Sequence, residues 1–208
     1  MPLTRKPIGP AKAQESARPD VLTALIDGGD DERWAAARAA SDVPGATDAL
    51  ATALESEADP RVREAMFSSL GRIGSPASID AIVRCIRSDN ASLRTGALDK
   101  LRTLRAAARD YLPSLMSDAD SDVRLLSCEL ARDLPSEDAV QLLCELLVRE
   151  LEPNVCAAAI DVLAEVGSSD ALAALAQCEA RFQDQPFLVF AIKVARERIQ
   201  AQSPHLHV

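Results

Sequence analysis

The residues of this 208-residue chain that could do chemistry are five cysteines, two histidines and an acid followed four positions later by Arg. Cys85, Cys128, Cys144, Cys156 and Cys178 contain no C-x-x-C pair, so neither a zinc knuckle nor a disulfide framework is expected. Free thiols in a reducing compartment fit that spacing. Both histidines, His205 and His207, lie in the last four residues, which disfavours a buried His base, a Ser/His/Asp set or a His-rich metal site. No G-x-G-x-x-G, Walker-type G-K-[ST] or H-E-x-x-H occurs. Carboxylate pairs must exist among 32 acids, and their coincidence carries little information. The expectation is a protein that is not an enzyme and has no metal or cofactor.

The acid and Arg pattern recurs as Asp59 and Arg63, Asn90 and Arg94, and Asp120 and Arg124. Residues four apart meet across one helical turn, so the spacing predicts local pairing, a structural ladder rather than a basic ligand site. Such a ladder requires helices that begin at the acid, and composition supplies them. The chain is rich in Ala, Leu, Arg and Glu, and only 3% of it is aromatic. Local propensity therefore favours helix throughout.

Charge narrows the partners. Residues 1–18 hold three Pro, four basic residues and one acid without a hydrophobic period, and read as a flexible N-terminal tail. Beyond them stand 19 bases against 31 acids, a net charge of -12, which opposes binding to nucleic acid or anionic membrane. No apolar run approaches the roughly 20 residues of a membrane span, and a cytoplasmic protein is expected.

The helices repeat. An acid or Asn, two further residues and then a large apolar anchor recur at Trp34, Val62, Leu93, Val123, Val155 and Phe187, at separations of 28, 31, 30, 32 and 32 residues. The polar leader fits a helix N-cap, and Pro60 and Pro153 sit where a first-turn proline is harmless. Amphipathic segments precede each anchor: 20–27, 46–56, 76–88, 106–117, 136–151 and 169–182. Each unit is a helical hairpin, A then B. A single hairpin cannot bury its apolar face, so neighbours must stack.

Asp59-Pro-Arg-Val-Arg-Glu-Ala-Met-Phe-Ser-Ser-Leu-Gly-Arg-Ile-Gly74 resembles the second helix of a HEAT repeat in its short bacterial, PBS-lyase-type form. The resemblance covers nearly all of 19–201. It implies an all-α, right-handed solenoid of about six hairpins and about twelve helices, with B helices on the concave face. Residues 202–208 are left as a C-terminal tail. Such arrays serve mostly as scaffolds, so the resemblance implies a partner that is another protein or a peptide, with bacterial signalling or assembly as the expected setting. Bilin lyases carry the same repeats, which leaves a lyase or lyase subunit as the alternative. In the same family the Asp and Arg positions are associated with hydrogen bonding between adjacent repeats.

Helical angles place positions two, six and nine after each anchor on the concave face. The charged members, Glu64, Asp99, Arg102, Glu129, Arg132 and Asp161, are the candidate protein-binding residues. The position five after the anchor, including Phe67, Cys128 and Ile160, is apolar throughout and predicts packing against the next repeat. The apolar last B helix, from Phe187, leaves a third possibility, a self-associating protein that is a monomer or a weak dimer through its C-terminal repeat.

Overall fold

Helix-forming sequence broken every dozen or so residues by Pro, Gly, Ser and Asp folds into twelve α-helices among the described residues, 20–202, of a computed structural model. Residues 1–18 and the two histidines lie outside them. The A helices are α1 (Val21–Asp27), α3 (Ala46–Ser56), α5 (Pro76–Cys85), α7 (Arg105–Leu115), α9 (Ser136–Arg149) and α11 (Ala171–Arg181). The B helices are α2 (Asp30–Ala39), α4 (Pro60–Ile73), α6 (Ala91–Thr103), α8 (Ser121–Ala131), α10 (Pro153–Val166) and α12 (Pro186–Gln202). Gln202 thus closes α12 rather than opening a tail.

Punctuation follows local chemistry. Side-chain oxygens of Asp59, Asn90 and Asp120 accept the free N–H two residues on, at 2.7, 2.9 and 2.9 Å. Helix α4 ends at Gly74, whose φ of 60° is left-handed and costs a glycine little. Between α6 and α7 stands Leu104 alone, so that turn has neither Gly nor Pro.

Each B helix packs on its predecessor and its successor, and each A helix on its hairpin mate, giving an α-solenoid with one continuous apolar seam. Phe67 shows how neighbours register. It is buried, and a Cβ built on Gly96 of α6 would stand 2.6 Å from its ring, so the ring lies directly on the glycine backbone. At Phe67 the expected packing against the next repeat is what the structure shows, whereas Ala39, expected to pack likewise, is exposed.

Candidate protein-interaction site

The residue before each B helix gives a common origin: Gly29, Asp59, Asn90, Asp120, Glu152 and Gln185. Three positions on lie Glu32, Val62, Leu93, Val123, Val155 and Leu188. This corrects the anchors at both ends. Trp34 and Phe187 are exposed, whereas Leu188 is fully buried. The cause is local: Glu32 accepts the Gly29 N–H at 2.9 Å and starts α2 earlier than Asp31, and Pro186 starts α12 one residue later than Asp184 implies.

The predicted pairing four residues apart does not form, because Asp59, Asn90 and Asp120 turn their side chains to backbone N–H groups at their own helix starts. The arginines reach elsewhere. Arg124 donates through Nε and a terminal nitrogen to both Glu150 oxygens, at 2.7 and 3.0 Å, and to the Asp118 carbonyl at 2.8 Å. In the corrected register Arg33 is its counterpart, bound to both Glu57 oxygens at 2.8 and 3.1 Å. Each Glu belongs to the loop that opens the next B helix. The Glu57 carboxylate also receives the Asp59 N–H, and that of Glu150 receives the Leu151 and Glu152 N–H groups, so both are fully satisfied although only 3% and 4% exposed.

Electrostatics follows. The Arg33 hydrogen bonds hold the Glu57 carboxyl below its ordinary range. Burial pushes Glu150 the other way, and the Arg124 and backbone hydrogen bonds overcome it. Arg94 meets only the Ser88 carbonyl, at 2.6 Å. Arg63 donates to no side chain or carbonyl among the described residues; the residue aligned with Glu57 and Glu150 is Ser88 ahead of α6, and ahead of α8 it is Asp118, which pairs with Arg87 at 2.6 Å rather than with Arg94.

A second network crosses the outward side of the B helices and takes in the candidate binding residues. Ser68 joins Glu64, at 3.0 Å, to Lys100, at 3.2 Å. Arg102 lies 4.0 Å from Asp99 and 3.3 Å from Glu129. Arg132 bridges Glu129 at 3.6 Å and Asp161 at 2.9 Å, and also pairs with Glu165, which with Asp161 holds its guanidinium above the ordinary value. Sequence spacing did not single out Lys100, Asp133 or Glu165. Three of the acids stand outermost: Glu64, Asp99 and Asp161 side chains are 63% to 66% exposed, against 36% for Arg102, 29% for Glu129 and 26% for Arg132.

Toward the two ends this row turns aromatic. Five positions after the origin it reads Trp34, Glu64, Thr95, Leu125, Ala157 and Phe190. Trp34 is one-third exposed under the Arg38 guanidinium, 4.7 Å from the ring centre, and Phe190 is 68% exposed beside Phe187. The end of α12 that a further repeat would cover carries Lys193, in the position that holds Phe67 in α4, and Arg196, paired with Glu179 at 2.6 Å.

The cysteines are free. Burial pushes Cys85 and Cys144 up to about 11 and Cys128 up to about 12, while the neighbouring Cys178 thiol and burial raise Cys156. The Cys156 thiol in turn lowers Cys178, which is fully buried. Among the described residues no cluster of three His, Cys, Asp or Glu is placed to hold a metal ion, and no helix is long and apolar enough to cross a membrane.

The sequence profile of HEAT repeats matches residues 18–102 and 104–185. The chain belongs to the HEAT-repeat family. The two matches meet at the turn between α6 and α7. Among solved structures, 85% of this HEAT chain superposes on 41% of Cex1p with a TM-score of 0.53 and 11% identity. A designed armadillo repeat protein for modular peptide recognition is similar over 86% of this chain and 98% of its own, at 15% identity and a TM-score of 0.43. The CpcE and CpcF complex of phycocyanin lyase from Nostoc sp. PCC7120 matches at 16% identity, 94% and 100% coverage and a TM-score of 0.37. No curated protein matches this chain in sequence.

Proposed function

We propose that this HEAT array is a non-catalytic adaptor that binds an extended segment of another protein along the outward, concave side of α4, α6, α8 and α10. One observation carries the reading: side-chain ion pairs and hydrogen bonds already tie these four helices into one surface before any partner arrives. A surface whose rotamers are fixed in advance loses less entropy on binding. Its exposed layer is carboxylate with guanidinium beneath, and aromatic side chains mark both ends, the residue types enriched at binding centres. A charge alternation of this kind sets register along a bound chain more than it adds affinity. The setting we favour is a cytoplasmic signalling or assembly complex.

Retention of a partner from the native host on immobilised protein tests the assignment. Asp99→Lys combined with Glu64→Lys reverses two exposed charges and keeps the fold, and retention is expected to fall by about tenfold, as for charges that fix register. If every specific partner is retained at the wild-type level, the binding face lies elsewhere on the molecule.

A further inference from the structure

The array closes two of its junctions with the same device and leaves it open at two others, where Arg94 of α6 meets only a carbonyl and Arg63 of α4 meets nothing among the described residues. At the start of α2 and of α8, an Arg four residues after the origin receives a planar carboxylate from the next loop through two hydrogen bonds. Arg63 occupies the same position on α4. The next loop offers Ser88, whose hydroxyl caps the Asn90 N–H at 3.1 Å, just as Glu57 and Glu150 cap their own loops, but which has no carboxylate to extend. Arg63 is half-buried and, among the described residues, has no anionic partner.

Beside Arg63 lies a cleft of about 400 Å³ between α4 and α6. Arg63 forms one side, Ser92 and Thr95 the other, and the Phe67 ring on Gly96 the floor. Glu64 and Asp99 stand at the rim, where each already has a cation, Lys100 at 3.9 Å and Arg102 at 4.0 Å. Arg63 therefore supplies the one uncompensated charge.

We propose that this cleft is a carboxylate-binding slot, in which Arg63 takes an Asp or Glu side chain of the bound segment as Arg33 takes Glu57 and Arg124 takes Glu150. The planar guanidinium matches one planar carboxylate through two parallel hydrogen bonds. The rim acids oppose a dianionic phosphate, which selects carboxylate over phosphoryl groups. An aliphatic stem of the same residue would lie against Phe67. The slot rests on the adaptor reading and names one residue type of its partner.

A dodecapeptide phage-display library panned on the full chain, on Arg63→Gln and on Ser88→Glu tests it. Peptides enriched on the wild type are expected to share one Asp or Glu, and to bind Arg63→Gln about thirtyfold more weakly, the loss typical of removing one member of a desolvated charge pair. Ser88→Glu supplies the carboxylate from within, so it is expected to block the same peptides while keeping the wild-type helicity. Enriched peptides with no acid in common, or bound equally by Arg63→Gln and Ser88→Glu, would overturn the slot and leave the adaptor face standing. A library from which nothing is enriched overturns both.

Discussion

The α2–α4 and α8–α10 junctions and the α4–α6 junction share the leading Arg, yet differ in the loop residue two before the next B-helix origin and in the packing of Phe67 on Gly96. Where the loop brings Glu57 or Glu150, a buried ion pair closes the gap. Where it brings Ser88, an aromatic ring on a glycine holds the helices and the Arg is left available. A repeat protein can thus turn a stabilising position into a recognition position by exchanging one side chain, because each junction depends mainly on its own two neighbours.

The sharpest way to break this contrast is to unpair the closed junctions. Glu150→Ala strands the Arg124 guanidinium, and Arg33→Gln strands Glu57; each is expected to lower unfolding free energy by about 3 kcal/mol in urea titrations, the cost of leaving one buried charge alone. At the open junction the ring carries the load instead. Gly96→Ala places a methyl where the Phe67 ring lies, 2.6 Å away, and is expected to cost about 2 kcal/mol despite the better helix propensity of Ala.

Acid should separate the junctions next. Glu57 and Glu150 have carboxyls held below their ordinary values, so their contribution is complete above the unfolded value of about 4.3 and is lost as pH falls through the lower, folded value. Thermal unfolding followed from pH 7 to pH 3 should therefore drop steeply below about pH 4. Replacing both residues by Gln should flatten that limb, and an unchanged limb would place the acid sensitivity elsewhere. The smallest effect belongs to Arg63→Gln, expected within about 0.5 kcal/mol of wild type because no partner loses its counter-charge.

The period and the hairpins were legible in sequence because they rest on local patterns: apolar spacing, first-turn prolines and capping side chains. The predicted segment 46–56 is α3 to the residue. The registers of the first and last units were not legible, since Asp31 and Asp184 imitate a cap that Gly29 and the Gln185–Pro186 start supply instead. Helical angles brought Asp99, Arg102, Glu129, Arg132 and Asp161 into one chain of ion pairs, with Glu64 apart from it beside Lys100, but the partners Lys100 and Glu165 lie at positions that angles alone did not favour. The pairing four residues apart failed for a physical reason. The leading Asp or Asn at a helix start has a backbone N–H within reach, and of the three arginines only Arg124 finds an acid, Glu150, in the next repeat.

The depth difference between the two networks divides the response of the array to ionic strength. Surface pairs such as Arg102 with Asp99 and Arg132 with Asp161 sit in water, where mobile ions screen them, whereas Glu57 and Glu150 are shielded from those ions. Added salt is expected to weaken the pairs along the middle of the B helices, while the buried pairs at the α2–α4 and α8–α10 junctions hold. The pairing pattern that a bound segment would meet is thereby set in part by the solution around it.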